Sequence, residues 1–163
     1  TGITKTTREA LDKIPPDLKH QELTKQSQQV IERLKHIKPG ENAWDSSLPD
    51  YLKLNVSKTK LSHIYKRIDP ERPSYTVTGS GGGGTHMYHW DEPRALTNRE
   101  RARLQTFPDW FNFFGTKESI RKQIGMAIPP EGMRLICNAL LASLNREKYN
   151  SIDANISLPA WFC

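Results

Sequence analysis

Residues Gly79-Ser80-Gly81-Gly82-Gly83-Gly84 satisfy the spacing G-x-G-x-x-G and come after a run, Ser74 to Thr78, with the composition of a strand. In a dinucleotide-binding loop that spacing brings backbone N–H groups and a helix N-terminus to a pyrophosphate, so the helix must start inside the glycines. Here Thr85-His86-Met87-Tyr88-His89-Trp90 comes next, and the next helix signal is at Thr97. The dinucleotide reading is therefore set aside. A glycine-serine tract can be a flexible linker. Alternatively, backbone without Cβ atoms can approach a nucleic-acid duplex closely, its N–H groups meeting phosphate oxygens while the Thr76 and Thr78 hydroxyls reach phosphate or a base edge. The flanking threonines and aromatic residues favour the second reading.

Other residue sets are weaker. His86 and His89 have H-x-x-H spacing beside Asp91 and Glu92, but no cysteine is near and no predicted helix fixes their geometry, so no metal is expected. Arg94, Arg99, Arg101 and Arg103 form a basic run whose default reading is a solvated helix face. There is no P-loop, nucleophile elbow, HExxH or Pro-Cys pair. Cys137 sits in an apolar stripe and Cys163 is the last residue, so two free thiols are expected, and catalytic chemistry lies elsewhere or is absent.

The elements that must position these residues can be read from caps and periods. Thr6-Thr7-Arg8-Glu9 has capping-box spacing and predicts a short helix, TREALDKI, ended by Pro15-Pro16. From about Thr24, Val30, Ile31, Leu34 and Ile37 recur at helical spacing up to Lys38-Pro39-Gly40. Residues 40–63 read as irregular, anchored by Trp44 and Leu48. Ile64–Ile68 and Ser74–Thr78 predict two strands around the turn Asp69–Pro73. A second capping box, Thr97 to Glu100, opens a helix through Leu104. After Pro129-Pro130, the residues Met133, Ile136, Cys137, Leu140, Leu141 and Leu144 form an apolar stripe that needs a partner surface. Residues 150–163 read as a tail in which Leu158, Trp161 and Phe162 could dock.

Composition bounds the partner. In 163 residues the formal charge is +6 and the pI about 9.4, which favours a polyanion, because Lys and Arg neutralise phosphates and release counterions. The apolar share of 36% is near the low end for a globular chain. No apolar run approaches the roughly 20 residues that cross a bilayer, and no secretion signal opens the chain, so the expected compartment is cytoplasmic. A first residue of Thr, not Met, suggests a trimmed or excised chain.

Three segments together resemble a known family. Arg94 to Asp109, RALTNRERARLQTFPD, resembles the ninth motif of DNA (cytosine-5) methyltransferases, and Gln123 to Pro130, QIGMAIPP, resembles the tenth. Thr76-Val77-Thr78 with the glycines after it resembles the threonine-valine element and glycine pair of the family's target recognition domain, and TTREALDKIP resembles the start of its variable region. The order agrees, over roughly residues 60 to 145. Absent are the phenylalanine-glycine cofactor motif, the proline-cysteine nucleophile, the glutamate-asparagine pair and the arginine-bearing eighth motif. Met126 stands where the family usually has asparagine, so no side-chain amide is available there.

The resemblance implies a mixed α and β fold: a small recognition domain of irregular short strands and helices, and C-terminal helices that complete a Rossmann-like methyltransferase domain. It implies a target recognition domain over 1–93 (variable region 1–63, strand and glycine-loop core 64–93), a helical segment over 94–149 and a tail over 150–163. Family members flip a cytosine from the duplex, attack C6 with cysteine and transfer the methyl of S-adenosyl-L-methionine to C5. This chain would then supply recognition and be inactive alone. The residues expected at DNA are Arg67, Thr76, Thr78, Gly81, Gly82, Gly83 and Arg94, and those expected at the cofactor are Met126, Ala127 and Ile128, with the cofactor bound mainly by the missing catalytic part. The implied partners are double-stranded DNA and a catalytic domain or subunit carrying the missing motifs. The alternative is a non-catalytic, sequence-specific DNA-binding module derived from such an enzyme.

Overall fold

The computed structural model describes residues 5–45, 47–55, 62–82 and 84–148. Residues 1–130 form one compact unit and 131–163 another. Five α-helices are present among the described residues: α1 (Thr7–Leu11), α2 (Gln28–Lys35), α3 (Asn98–Leu104), α4 (Lys117–Met126) and α5 (Pro130–Leu144), with a single 3-10 turn at Asp50–Leu52.

The capping boxes form as expected. The Thr6 hydroxyl accepts from the Glu9 N–H and the Glu9 carboxylate accepts from the Thr6 N–H, while Thr97 and Glu100 do the same at α3. α1 is shorter than TREALDKI, because Asp12 is already extended and Lys13 turns to a φ of 48° ahead of the prolines. α2 starts at Gln28 instead of near Thr24, since Ser27 supplies the cap, its hydroxyl accepting from Val30 N–H. α2 ends ahead of Gly40, which takes the left-handed turn at φ 81°.

The two expected strands do not form. Among the described residues the only β pairing is two isolated bridges, Arg67 with Tyr88 (parallel) and Tyr88 with Ala95 (antiparallel). Tyr65 adopts a φ of 49°, which breaks the extended run 64–68 after its first residue. Residues 66–68 then pair with 87–89 and not with 74–78: Ile68 N–H donates to Tyr88 O and Tyr88 N–H to Lys66 O. On the other side of that segment, Leu96 N–H donates to Met87 O and His89 N–H to Arg94 O. The pairing partner of 66–68 is thus the stretch after the glycines, and 74–78 is held by side chains instead of a ladder. Among the described residues the chain is built of helices joined by irregular backbone, with the two bridges in place of the expected short strands.

Helix α4 carries no period that a sequence pattern could show, because only Ile120 and Ile124 form its buried apolar face in ten residues. Two side chains of α3 hold it. Asn98 Nδ2 donates to Lys117 O at the start of α4, and Gln105 Nε2 donates to Ile124 O and Ala127 O at its end, so the helices run in the same direction. α1 is tied to the same body, since Arg103 Nη1 donates to Asp12 O at 2.6 Å. Two apolar clusters fill the interior. Leu11, Ile68, Val77, Leu96, Ala102, Phe113, Ile120 and Ile124 belong to one, and Leu34, Ile37, Leu52, Tyr65 and Tyr88 to the other, with Leu48 buried and Trp44 packed against the second. α5 buries none of its residues, and Leu135, Ile136, Leu140, Leu141 and Leu144 are all more than half exposed. The tail over 150–163 lies outside the described residues.

At the end of α4 the helix backbone lies directly on residues 78–79. A Cβ on Gly125 would overlap Gly79 N and Thr78 C, both backbone atoms that cannot swing away. Gly125→Ala is therefore expected to push α4 off this segment and cost about 1–3 kcal/mol, as overpacking does; chemical denaturation of wild type and variant checks it, and equal midpoints would refute the contact.

Candidate functional site

Gly79, Gly81 and Gly84 of the glycine run are folded onto the protein. Val77 is buried in the first cluster, which leaves Thr76 exposed and Thr78 partly covered. Thr78 O accepts from Arg101 Nη1 at 3.1 Å and Gly81 O from Arg121 Nη2 at 3.4 Å. A Cβ on Gly81 would stand 2.7 Å from His86 Nδ1, and one on Gly84 would stand 2.7 Å from the Tyr65 ring. Gly82 differs: it is exposed, with a φ of 143° and nothing within 4 Å of a Cβ. Its carbonyl accepts from both the N–H and the hydroxyl of Thr85, closing a turn. Gly79, Gly81 and Gly84 are packing glycines, whereas Gly82 and Thr76 face outward. Gly83 lies outside the described residues.

Arg67 has another task than the one expected of it. It is buried, and its guanidinium donates to four carbonyls: Nε to His89 O, Nη1 to Leu34 O and Ile37 O, and Nη2 to Glu92 O. These bonds tie the end of α2 to the segment after the glycines and leave no face for a phosphate. Arg94 is likewise committed. Its two Nη atoms donate to the Glu100 carboxylate at 2.8 Å each and its Nε to Glu92, with 17% of the side chain exposed.

The basic run is not a solvated face. Arg99 and Arg101 are each 1% exposed. Arg99 donates to Lys19 O and Phe111 O, and Arg103 pairs with Asp109 through Nε and Nη2. Sequence hides this inward direction, because charge outranks position in any reading of a short helix. His86, Arg101 and Arg121 meet beneath the glycine run, a grouping that residue types and spacing do not suggest. Burial, then Arg101, Arg121 and Lys117, push the His86 imidazole down to about 4. His89 also lies below the usual histidine range, chiefly through burial and then Arg94. Its Nδ1 accepts from Asp91 N–H and Glu92 N–H, and its ring stacks on Trp90 at 4.0 Å. Among the described residues no group of three His, Cys, Asp or Glu could hold a metal.

Met126, Ala127 and Ile128 form an open apolar edge at the end of α4. Met126 is 72% and Ile128 59% exposed, and Ala127 is fixed by the Gln105 bond to its carbonyl.

The chain matches the family described as C-5 cytosine-specific DNA methylase over residues 2–142. The chain belongs to this family. It is 58% identical over 150 residues to the Type II methyltransferase M.BbvI of Brevibacillus brevis, covering 92% of this chain and 40% of that protein. It is 33% identical over 148 residues to the Type II methyltransferase M.AquIB of Picosynechococcus, covering 83% of this chain and 94% of that one. A crystal structure of an E. coli prophage protein assigned as a DNA modification methyltransferase superposes with a TM-score of 0.58 at 30% identity, covering 78% of this chain and 30% of the other. The chain thus spans about two fifths of the Brevibacillus relative. No helix among the described residues is long and apolar enough to cross a membrane.

The family uses S-adenosyl-L-methionine. The residues here fit one side of such a group: Met126 to Ile128 offer apolar contact, with no side-chain amide or carboxylate for its polar ends.

This geometry leads to two expected outcomes. Arg67→Met leaves the carbonyls of Leu34, Ile37 and His89 without their donor, so a stability loss on the order of 3 kcal/mol is expected in urea unfolding; a loss under about 1 kcal/mol would remove Arg67 from the framework. The histidines set a pH dependence. With a folded-state value below the ordinary 6.5, His86 is neutral in both states at pH 7, while below 6.5 the unfolded chain takes up the proton first. Stability is therefore full above about 6.5 and falls as pH drops towards about 4. Thermal melts should show the decline setting in below pH 6.5, and His86→Gln should flatten it.

Proposed function

We propose that this chain is the DNA-recognition portion of a DNA (cytosine-5) methyltransferase, which transfers the methyl group of S-adenosyl-L-methionine to C5 of a cytosine flipped out of duplex DNA. The observation that carries the reading is the outward edge of Thr76 and Gly82 on a framework that belongs to this family. Recognition occupies residues 1–93, followed by a separate ninth- and tenth-motif helical segment over 94–149 and a tail over 150–163. The catalytic motifs that this sequence lacks lie on a partner subunit or on the preceding part of one polypeptide. That M.AquIB matches this chain over 94% of its own length supports a recognition chain of this extent.

A base must leave the stack because its reacting atom is hidden inside the duplex. The outward edge would enter the major groove, where each base pair shows its own donor and acceptor pattern. Thr76 offers a hydroxyl to a base edge or phosphate, and Gly82 lets the backbone come close. Arg101 holds that edge from behind through Thr78 O and Arg121 through Gly81 O, while Arg67 fixes the segment after the glycines and Gln105 the end of α4. S-adenosyl-L-methionine supplies the methyl group when bound, and Met126, Ala127 and Ile128 would give apolar contact on one side of it. α5 presents its exposed apolar residues to the catalytic domain, since a helix of this composition needs a covering surface. The Type II methyltransferase relatives support a modification role, and the expected compartment for it is the cytoplasm.

The chain alone is expected to put no radiolabelled methyl into DNA, and to do so only with the polypeptide bearing the missing motifs. In that assembly, Thr76→Val should weaken duplex binding by about 1 kcal/mol, one neutral hydrogen bond. Gly82→Val should weaken it more, with thermal melting separating lost contact from the backbone strain of a valine at φ 143°. Parent-like binding by both variants would move the recognition surface elsewhere and favour a module whose DNA contacts lie outside this loop.

A further inference from the structure

Beneath the glycine run lie two guanidinium groups, Arg101 and Arg121, that form no ion pair among the described residues. Arg101 is 1% exposed, yet only its Nη1 is bonded, to Thr78 O; its Nε and Nη2 are buried with no partner among the described residues. Arg121, reaching in from α4, bonds Gly81 O through Nη2 and leaves its own buried Nε without a partner. The Cβ direction of Gly81 points at both neighbours, 3.1 Å from Arg121 Cζ and 2.7 Å from His86 Nδ1. Among the described residues Glu100 is the carboxylate that acts on Arg101, and it is occupied by Arg94 and by the Thr97 N–H.

Such an arrangement is costly as it stands. A buried ion without a partner is costly, and replacement of buried ionic groups by apolar side chains of similar volume is often neutral or stabilising. Burial, then Arg121, pull the Arg101 guanidinium down to about 10, and the same two arginines help to keep His86 neutral. The donors sit under Gly79 to Gly82, a roof with only one Cβ, that of Ser80, whose backbone can shift without moving large side chains. The roof ends in the outward edge at Gly82.

We propose that Arg101 and Arg121 form an anion pocket under the glycine run, which takes a backbone phosphate of the duplex when residues 80–82 shift aside. A phosphate supplies the acceptor oxygens that Arg101 Nε and Nη2 and Arg121 Nε lack, in the forked geometry that guanidinium groups favour. Its single negative charge, set between two like charges, offsets the repulsion between them. His86 walls the pocket beneath Gly81. This inference rests on the reading of the chain as a DNA binder, and the sequence-independent phosphate contact it describes would set the register in which the outward edge meets bases.

The test uses the chain assembled with its catalytic part, and the variants Arg101→Met and Arg121→Gln. Duplex affinity is titrated over a range of salt, for several DNA sequences. Each variant is expected to lose about tenfold in affinity, equally on every sequence, and to lower the slope of log K against log salt by about one. Melting is followed in chloride and in inorganic phosphate at equal ionic strength. Arg101→Met should melt higher than wild type in chloride, because it removes an unneutralised buried charge. If wild type binds DNA with a normal salt slope and both variants match it, the pocket is overturned and the DNA reading stands. If wild type shows no salt-dependent duplex binding at all, both fall together. If inorganic phosphate raises the wild-type melt while both variants bind DNA unchanged, the site is one for free phosphate and the duplex assignment is overturned. Should Arg101→Met fail to fold, Arg121→Gln alone decides through its salt slope, since its side chain is only partly buried.

Discussion

A chain that buries backbone without putting it into sheets must find a donor for each carbonyl it hides. That requirement shapes this molecule more than any other. Residues 64–97 contain only two bridges among the described residues, and carbonyls there, in the other irregular segments and at helix ends are met by side chains: Arg67 takes four, Arg99 two, Arg101 one and Gln105 two. Arginine suits the work because its planar fork offers five donors in fixed directions and keeps its charge under burial. Arg33 adds the same service at Leu52 O while its guanidinium lies over the Tyr65 ring, 4.6 Å from the centroid.

One consequence concerns charge. A formal +6 invites the thought of a basic surface for a polyanion, yet several of the arginines behind that figure are turned inward or paired. Arg94 with Glu100 and Arg103 with Asp109 are neutral pairs, and Arg67 and Arg99 bind carbonyls. Net charge is a sum over the chain, whereas long-range attraction depends on where the unpaired part sits. In this chain an unpaired part of it lies in the pair Arg101 and Arg121, beneath the one stretch whose backbone is free of large side chains.

Local signals are legible in the sequence and long-range ones are not. Both capping boxes, the α2 stripe and the stop at Gly40 can be read because each depends on residues within one turn of one another. The strands expected at 64–68 and 74–78 fail because β propensity describes a fit to neighbouring chains, and the neighbour of 66–68 is 87–89, a segment whose histidines and aromatic residues read as chemistry. α4 escapes notice because its two buried apolar residues give no period; it is a helix by virtue of Asn98 and Gln105 at its ends and the Thr116 cap. The motif resemblance finds the family where periodicity cannot, but motifs say which residues recur and not which way they point. Arg67 and Arg94 are accordingly expected outside and found within.

The two glycines where α4 meets residues 78–79 connect the proposed functions. Gly125 abuts Thr78 and Gly79 through backbone alone, and Met126 to Ile128, the edge proposed to face the cofactor, come immediately after it in the chain. Thr76 and Gly82, the edge proposed to face DNA, flank the other side of the same contact. A backbone-to-backbone contact has no side-chain rotamers to absorb displacement, so a shift of one edge is transmitted to the other within a few residues. Gln105 reinforces this by holding Ile124 and Ala127 from the end of α3, and Arg101 on the same helix holds Thr78. The ninth-motif helix is thus the common brace of both edges, and the distance between a bound duplex and a bound methyl donor would be set by α3, α4 and the absence of two Cβ atoms.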